Sequence, residues 1–200
     1  MQSCEAIGQA CPICAAPLSG PAALRCGRCR LRRPALDRCT AAYEYGGQLA
    51  VALRRLKFQG RSDIAKSLRP LLVDAFSTAA KQVDLAVPVP LHRRRLATRG
   101  FNQAQRLLIP LAKACQLPIA RSAICRIRHT QPQAQLSAVD RTANMQDAFE
   151  AKAAVRGKRV LLVDDIRTTG STLDAAARAL RQAGATEVHA FVVARADTPL

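Results

Sequence analysis

The stretch Val160-Leu-Leu-Val-Asp-Asp-Ile-Arg-Thr-Thr-Gly-Ser-Thr172 decides the fold of this chain. Its leading apolar residues predict a fully buried strand, and the amphipathic run from Leu173 predicts a helix that ends at Gly184. A strand that runs through a turn into a helix is typical of a parallel sheet, whose ligands bind at the carboxyl ends of the strands. The adjacent carboxylates of Asp164 and Asp165 fall at that edge.

The turn that follows the two carboxylates is suited to phosphate. Its backbone N–H groups and the start of the next helix form an anion nest, its hydroxyls add donors, and its glycine lets phosphate approach the backbone closely. The carboxylates suit sugar hydroxyls or a Mg²⁺ ion beside that phosphate, so a sugar phosphate satisfies both halves of the motif. The turn consists of Thr168, Thr169, Gly170, Ser171 and Thr172.

Two other interpretations of this stretch compete. It is similar to the acidic strand of a P-loop ATPase, but that class requires an upstream G-x₄-GK-[ST] sequence, which this chain lacks. The remaining alternative is a capped helix start that carries two solvated acids.

The rest of the chain alternates between strand and helix patterns. We predict strands at residues 43–45, 85–89, 123–127 and 188–193. We predict helices at 64–80 and 101–116, with a bend or restart at Pro70 and an interruption near Pro110. The polar segment 129–147 has no clean period and predicts a long loop. This order predicts an α/β fold, a mostly parallel sheet with helices on both faces.

The cysteines cluster at the amino end. Six of the eight lie in the first 39 residues, and the pairs Cys11-Pro-Ile-Cys14 and Cys26-Gly-Arg-Cys29 are separated by eleven residues. Two such pairs close a tetrahedron around Zn²⁺, and four cysteine ligands leave no position for substrate, so we predict a structural zinc ribbon. The alternative is a redox role or a chance pairing of these cysteines. Cys4 and Cys39 are either spare ligands or lone thiols. We place the ribbon at residues 1–40 and the second domain at 41–200.

Composition narrows the class of partner. The chain has 200 residues, of which 49% are hydrophobic, and a net charge of +17. Such a surface attracts nucleic acid, phosphorylated metabolites or acidic lipid. Part of the excess of basic residues is explained by a GC-rich genome, which raises the arginine content of its proteins. Only 4% of residues are aromatic, so contacts with nucleic acid should be made to phosphate rather than by stacking. No apolar stretch spans a bilayer and no signal peptide is evident, which predicts a cytoplasmic protein without membrane insertion.

The Asp-Asp motif resembles that of the type I phosphoribosyltransferases, which bind 5-phosphoribosyl 1-diphosphate (PRPP). Together with the other motifs of the sequence, it makes nearly the whole chain resemble the ComF family (ComFC/GntX-like). Many relatives carry a further cysteine cluster upstream, and this chain has only Cys4 there. The other motifs are the cysteine ribbon, Tyr43-Glu-Tyr-Gly46, Leu56-Lys-Phe-Gln-Gly60, Val87-Pro-Val-Pro90 and Arg99-Gly-Phe-Asn-Gln103.

The resemblance implies a role for each part of the site. Asp164 and Asp165 would act in catalysis by holding the ribose hydroxyls, and the turn 168–172 would bind the 5-phosphate. The loop after Pro90 would neutralise the pyrophosphate, assisted by Mg²⁺. The residues implied there are Arg93, Arg94, Arg95 and Arg99, for which a solvated basic face is the alternative. Segment 126–144 corresponds to a flexible lid, with Arg128, Arg141 and Asn144 as its polar contacts.

The resemblance also implies a biological role in the uptake or processing of transforming DNA. We therefore expect a PRPP-binding protein that transfers the pentosyl group, binds single-stranded or duplex DNA weakly without sequence preference, and serves a competence machinery that includes a helicase. Two alternatives stay open: a nucleobase salvage phosphoribosyltransferase, and a non-catalytic DNA-binding adaptor. The sequence does not identify the acceptor base.

Overall fold

A parallel sheet is the centre of the structure, a computed structural model that describes residues 8–18, 24–61, 63–128 and 148–196. Its strands lie in the order β1-β6-β5-β2, and β3 pairs antiparallel with β4 in a separate ribbon. The strand bounds are β1 Arg38–Glu44, β2 Leu85–Pro88, β3 Ile124–Arg126, β4 Phe149–Ala151, β5 Arg159–Arg167 and β6 Glu187–Arg195.

Helices cover both faces of this sheet. Their bounds are α1 Gly27–Leu31, α2 Gly47–Phe58, α3 Asp63–Ala80, α4 Arg93–Arg99, α5 Gln103–Ala114 and α6 Ser171–Gln182, with a 3₁₀ turn at Ala153–Val155. Among the described residues, no helix combines the length and the apolar character that crossing a membrane requires.

The central part of β5, Val160–Val163, is apolar at every position because each face of the sheet packs on a different layer. Val160 and Leu162 of β5 belong to the cluster that contains α6 and the β3–β4 ribbon. Leu161 and Val163 belong to the cluster with α2, α3 and α5 on the opposite face. Strands buried on both faces lose the alternation of polar and apolar residues. This confirms the predicted α/β class and the parallel sheet.

Three details differ from the sequence pattern. α3 continues through Pro70 and α5 continues through Pro110 without a restart. Each proline removes one backbone donor, but the buried residues on both sides hold the helix against the sheet. β1 begins at Arg38, before the predicted strand at 43–45, because its residues pair with β6 from Arg38 onward.

The amino-terminal segment packs against the rest of the chain. Ala15 and Leu36 are buried in the same cluster as β5 and α6. Asp37 accepts hydrogen bonds from the Val188 backbone and from Arg181. The division into 1–40 and 41–200 remains a prediction.

Candidate functional site

A cavity of about 850 Å³ opens at the carboxyl edge of the sheet. β5 and β2 end there side by side, since Pro88 pairs with Val163, and the segments that follow β1 and β2 form the walls. Sheets of this type bind ligands at that edge. The lining residues are Tyr45, Lys57, Phe58, Val89, Pro90, Leu91, Arg94, Arg95, Thr98, Arg99, Gln103, Arg126, Asp164, Asp165, Ile166, Thr168, Thr172 and Ala196.

The two predicted carboxylates lie in this cavity and differ in environment. Asp164 Oδ1 accepts a hydrogen bond from the Asp165 backbone N–H at 2.9 Å. Burial, together with the neighbouring charge of Asp165, raises the pKa of Asp164 well above its ordinary value. Asp165 is 3% exposed, and its Oδ2 accepts no hydrogen bond from the described residues. A buried carboxylate oxygen that accepts no hydrogen bond suits a ligand hydroxyl or a cation, and the Lys57 ammonium is the cation that lies near it here.

The predicted phosphate loop joins β5 to α6. Gly170 has φ +82° and is the N-cap residue of α6, so the cap position offers no side chain; the Ser171 N–H donates to the Thr169 hydroxyl at 3.4 Å. The Thr169 hydroxyl lies 3.0 Å from the Ser171 hydroxyl, and Thr168 and Thr172 line the cavity. Uncapped N–H groups at a helix start form an anion site. The loop therefore presents donors beside the two carboxylates.

The predicted arginine cluster forms most of one wall. Arg94, Arg95 and Arg99 line the cavity, whereas Arg93 is exposed and lies outside the lining. Arg99 Nη1 donates to Gln103 Oε1 at 2.8 Å, and its guanidinium lies 5.5 Å from the centre of the Phe58 ring. Burial lowers the pKa of Arg99, and the charge of Asp165 partly offsets that effect. This arginine wall is positive and lines the same cavity as Asp164 and Asp165, which form its acidic floor.

Two further cations in the cavity were missed by the sequence analysis. Lys57 Nζ lies 3.5 Å from Asp165 Oδ2. Arg126 lies over the Phe149 ring, with 5.6 Å to its centre. Burial, reinforced by the charge of Arg95, lowers the pKa of Arg126 to about 10, so it stays protonated at neutral pH. Lys57 lies in the motif Leu56-Lys-Phe-Gln-Gly60, and Arg126 is the first residue of the predicted lid segment 126–144, but the sequence analysis assigned neither side chain a role in the site.

The predicted lid contacts are mostly outside the described residues. Arg141 and Asn144 belong to the segment 129–147, which the structure does not describe. Arg128 is exposed just beyond β3 and does not line the cavity.

The four predicted metal ligands come together. The sulfur atoms of Cys11, Cys14, Cys26 and Cys29 all lie within 4.8 Å of one another, and three of these residues are buried. This set suits zinc, since four thiolates at such spacing match a structural tetrahedral site. Cys39 is buried in the main core and is not part of the cluster. Cys4 lies outside the described residues.

The sequence is similar to a known domain family and to several known bacterial proteins. The sequence model described as phosphoribosyl transferase domain matches residues 96–199. DNA utilization protein YhgH of Salmonella typhimurium is 36% identical over 190 residues, which cover 92% of this chain and 83% of that protein. Competence protein F of Haemophilus influenzae is 35% identical over 182 residues, which cover 87% of this chain and 80% of that protein.

A more distant relative extends the same pattern. Competence protein ComFC of Bacillus subtilis is 31% identical over 195 residues, which cover 94% of this chain and 78% of that protein. With a phosphoribosyl transferase domain over half its length and such relatives across nearly all of it, the chain belongs to the ComF family.

Proposed function

We propose that the cavity binds PRPP and that the protein transfers its phosphoribosyl group to a nitrogen nucleophile. The observation that carries the proposal is the convergence of three ligand-specific groups on one cavity. These groups are two carboxylates for the ribose hydroxyls, a hydroxyl-rich loop for the 5-phosphate and an arginine wall for the pyrophosphate.

The residues of each group would act on a different part of the substrate. Asp164 and Asp165 accept hydrogen bonds from the ribose hydroxyls and favour positive charge developing at C1. Arg94, Arg95 and Arg99 stabilise the pyrophosphate, which leaves with the electron pair of the C1–O bond. The nucleophile then forms the new C1–N bond and releases its proton to solvent. Lys57 and Arg126 add positive charge to the same cavity.

The acidic floor also fits a divalent cation. Mg²⁺ prefers carboxylate and substrate phosphate oxygens. Asp164 and Asp165 both line the cavity, and within the described residues Asp165 Oδ2 accepts no hydrogen bond and has only the Lys57 ammonium, 3.5 Å away, as a charged partner. When bound, Mg²⁺ would supply charge neutralisation for the leaving pyrophosphate.

The test is calorimetry with PRPP in the presence and absence of Mg²⁺. We expect binding that depends on Mg²⁺ and that is lost in the double variant Asp164→Asn with Asp165→Asn. Asp84→Asn is the matched control, because Asp84 is a carboxylate at the opposite edge of the sheet, paired with Arg159. Retained affinity in the double variant would exclude the role assigned to the carboxylates.

A screen of nitrogenous bases for pyrophosphate release then separates the alternatives. Turnover with a common nucleobase favours a salvage enzyme, whereas PRPP binding without turnover favours an adaptor. The names of the relatives do not distinguish a salvage enzyme from an adaptor. They support a role in DNA uptake, which we propose as the biological context.

We propose zinc as the metal of the cysteine cluster, on the basis of its four thiolates. Elemental analysis of reduced, freshly purified protein is expected to find one zinc per chain, and its absence would contradict the assignment.

We also propose that the protein acts in the cytoplasm, where thiols stay reduced. There it would bind DNA weakly and work with a helicase of the uptake machinery.

A further inference from the structure

Arg167 is buried between the cysteine cluster and the phosphate loop. It is 4% exposed, and its Nη1 donates to the carbonyl oxygen of Cys14 at 2.8 Å. Its guanidinium also lies against Gly170, where an added Cβ would be 2.3 Å from Nη2 and 2.7 Å from Cζ. One side chain therefore contacts a cysteine of the cluster and the turn of the loop.

The guanidinium of Arg167 has no carboxylate partner in the part of the chain that the structure describes. Within the described residues its Nε donates no hydrogen bond, and no carboxylate pairs with its guanidinium. An isolated buried charge is costly. Four thiolates around one divalent cation carry a net negative charge, so a loaded cysteine cluster beside Cys14 would compensate the guanidinium.

Other contacts hold the cysteine segment, which we define as residues 8–18 and 24–37, on the same loop and helix. Arg28, which lies between two of the ligands, donates from Nη2 to the Thr169 carbonyl oxygen at 3.4 Å. The Ala35 backbone N–H donates to Asp174 Oδ1 in the first turn of α6 at 2.6 Å. The cysteine segment is thus attached to the phosphate loop at Thr169 and to the first turn of α6 at Asp174.

We propose that Arg167 links metal binding at the cysteine cluster to phosphate binding at the loop. The loaded cluster holds the guanidinium, and the guanidinium supports the backbone at Gly170 in the conformation that receives phosphate. The identity of the phosphate ligand, PRPP, rests on the proposed function. Arg167 is a positioning residue, since it acts through the loop.

Such a link is reciprocal, which allows it to be measured without a variant. If zinc raises the affinity for PRPP, then PRPP must raise the affinity for zinc by the same factor. We expect a factor of roughly 5 to 150, the range typical of coupled sites. Calorimetry measures PRPP affinity with and without zinc, and transfer of zinc to a coloured chelator measures zinc affinity with and without PRPP. Two independent affinities in the unaltered protein would overturn the proposal.

Substitution of Arg167 then tests the residue itself. In Arg167→Met the linkage factor should fall to about one, so PRPP affinity no longer depends on zinc. Arg159→Met is the matched control, because Arg159 lies on the same strand, at the far end and paired with Asp84; it should keep the full factor. If Arg167→Met does not fold, Arg167→Lys replaces it in the test. This variant keeps the charge but loses the planar fork, so the linkage factor should fall. An unchanged factor in a folded Arg167 variant would refute its role.

Hydrogen exchange separates failure of this proposal from failure of the proposed function. Removal of zinc should speed exchange of the backbone amides at 169–173 in the unaltered protein without any PRPP present. In the Arg167 variants exchange there should already be fast and should not respond to zinc. If PRPP does not bind the zinc-loaded protein, the proposed substrate is wrong, and this exchange measurement alone decides whether Arg167 joins the two sites. Exchange that ignores zinc in the unaltered protein would overturn the link.

Discussion

Among single residues, Gly170 is under two independent constraints. Its φ of +82° lies in the left-handed region, which costs an L residue about 1–2 kcal/mol. In addition, any Cβ would overlap the guanidinium of Arg167. The glycine is therefore required by the backbone of the loop and also by the arginine packed against it.

We predict that Gly170→Ala destabilises the protein more than Gly157→Ala does. Gly157 has a similar φ of +69°, but an added Cβ there meets nothing within 4 Å, so it incurs only the backbone cost. Overpacking should add about 1–3 kcal/mol at Gly170. Denaturant unfolding of both variants measures the difference, and equal losses would mean that Arg167 yields without cost.

The raised pKa of Asp164 gives stability a definite pH dependence. Because the folded protein holds this proton more tightly, the unfolded chain ionises first, near its ordinary value of 3.8. Stability then falls as pH rises from that value through the folded pKa, and the full penalty remains above it. The carboxylate is therefore kept at a cost to stability, as expected for a ligand-binding group.

Asp164→Asn should accordingly raise the Tm at pH 7, with the difference vanishing below about pH 3.5. If about 1 kcal/mol is relieved, the rise is about 2–4 °C. Asp84→Asn should act in the opposite direction, because hydrogen bonds from Arg159 lower the pKa of Asp84 to about 2. Thermal unfolding across pH measures both variants, and an Asp164→Asn protein that is less stable at pH 7 would contradict the argument.

At the scale of elements, α5 is joined to the loop that carries the arginine wall. The Asn102 side-chain oxygen accepts from the Ala104 and Gln105 backbone N–H groups, which caps α5. Its amide nitrogen donates to the Val89 carbonyl oxygen at 2.9 Å. One side chain thus fixes the start of α5 relative to the end of β2, and so positions the segment between them.

Asn102→Ala should lower the free energy of unfolding by about 0.5–2 kcal/mol, the usual value of an N-cap. It should also weaken PRPP binding, because the arginine wall lies between the two anchored points. Asn102→Asp separates the effects, since a carboxylate keeps the cap but cannot donate to Val89. Calorimetry and chemical unfolding report the two effects. If Asn102→Asp binds PRPP like the unaltered protein, the bond to Val89 has no role in the site.

For the whole molecule, the net charge of +17 is the dominant property. Much of it is on exposed arginines of the cysteine segment, and Arg28 among them reaches the phosphate loop at Thr169. Few aromatic side chains are available to stack bases. Any contact with nucleic acid should therefore be made to phosphates and should be independent of base sequence.

We predict weak DNA binding that falls steeply with salt. If about five phosphates are engaged, raising the salt from 50 to 200 mM should reduce affinity by roughly 10²–10³. PRPP with Mg²⁺ should compete partly, through the arginine wall. The DNA binding that PRPP does not displace should depend on four arginines of the cysteine segment. Replacing them with serine tests this; they are Arg28, Arg30, Arg32 and Arg33. Gel retardation at both salt concentrations is the measurement, and affinity that is indifferent to salt would assign the basic excess to genome composition.

The sequence alone determined the features that depend on neighbouring residues. The run from Val160 to Thr172 predicts its strand, turn and helix because each is set by local periodicity and backbone chemistry. The two cysteine pairs predict a metal cluster because each Cys-x₂-Cys turn places its two thiolates side by side through local backbone geometry. The order of these patterns is enough to predict the parallel sheet, since short strand–helix connections permit few topologies.

Only the tertiary structure decided which distant side chains meet. It brought Lys57 and Arg126 into the cavity and left Arg93 outside, because the direction of a side chain depends on how its helix or strand packs. It carried α3 through Pro70, since packing on the sheet outweighs the lost backbone donor. It also placed Arg167 between the cysteine cluster and Gly170, a contact that joins residues 153 positions apart. Such contacts have no local signature, because they arise from the packing of whole elements.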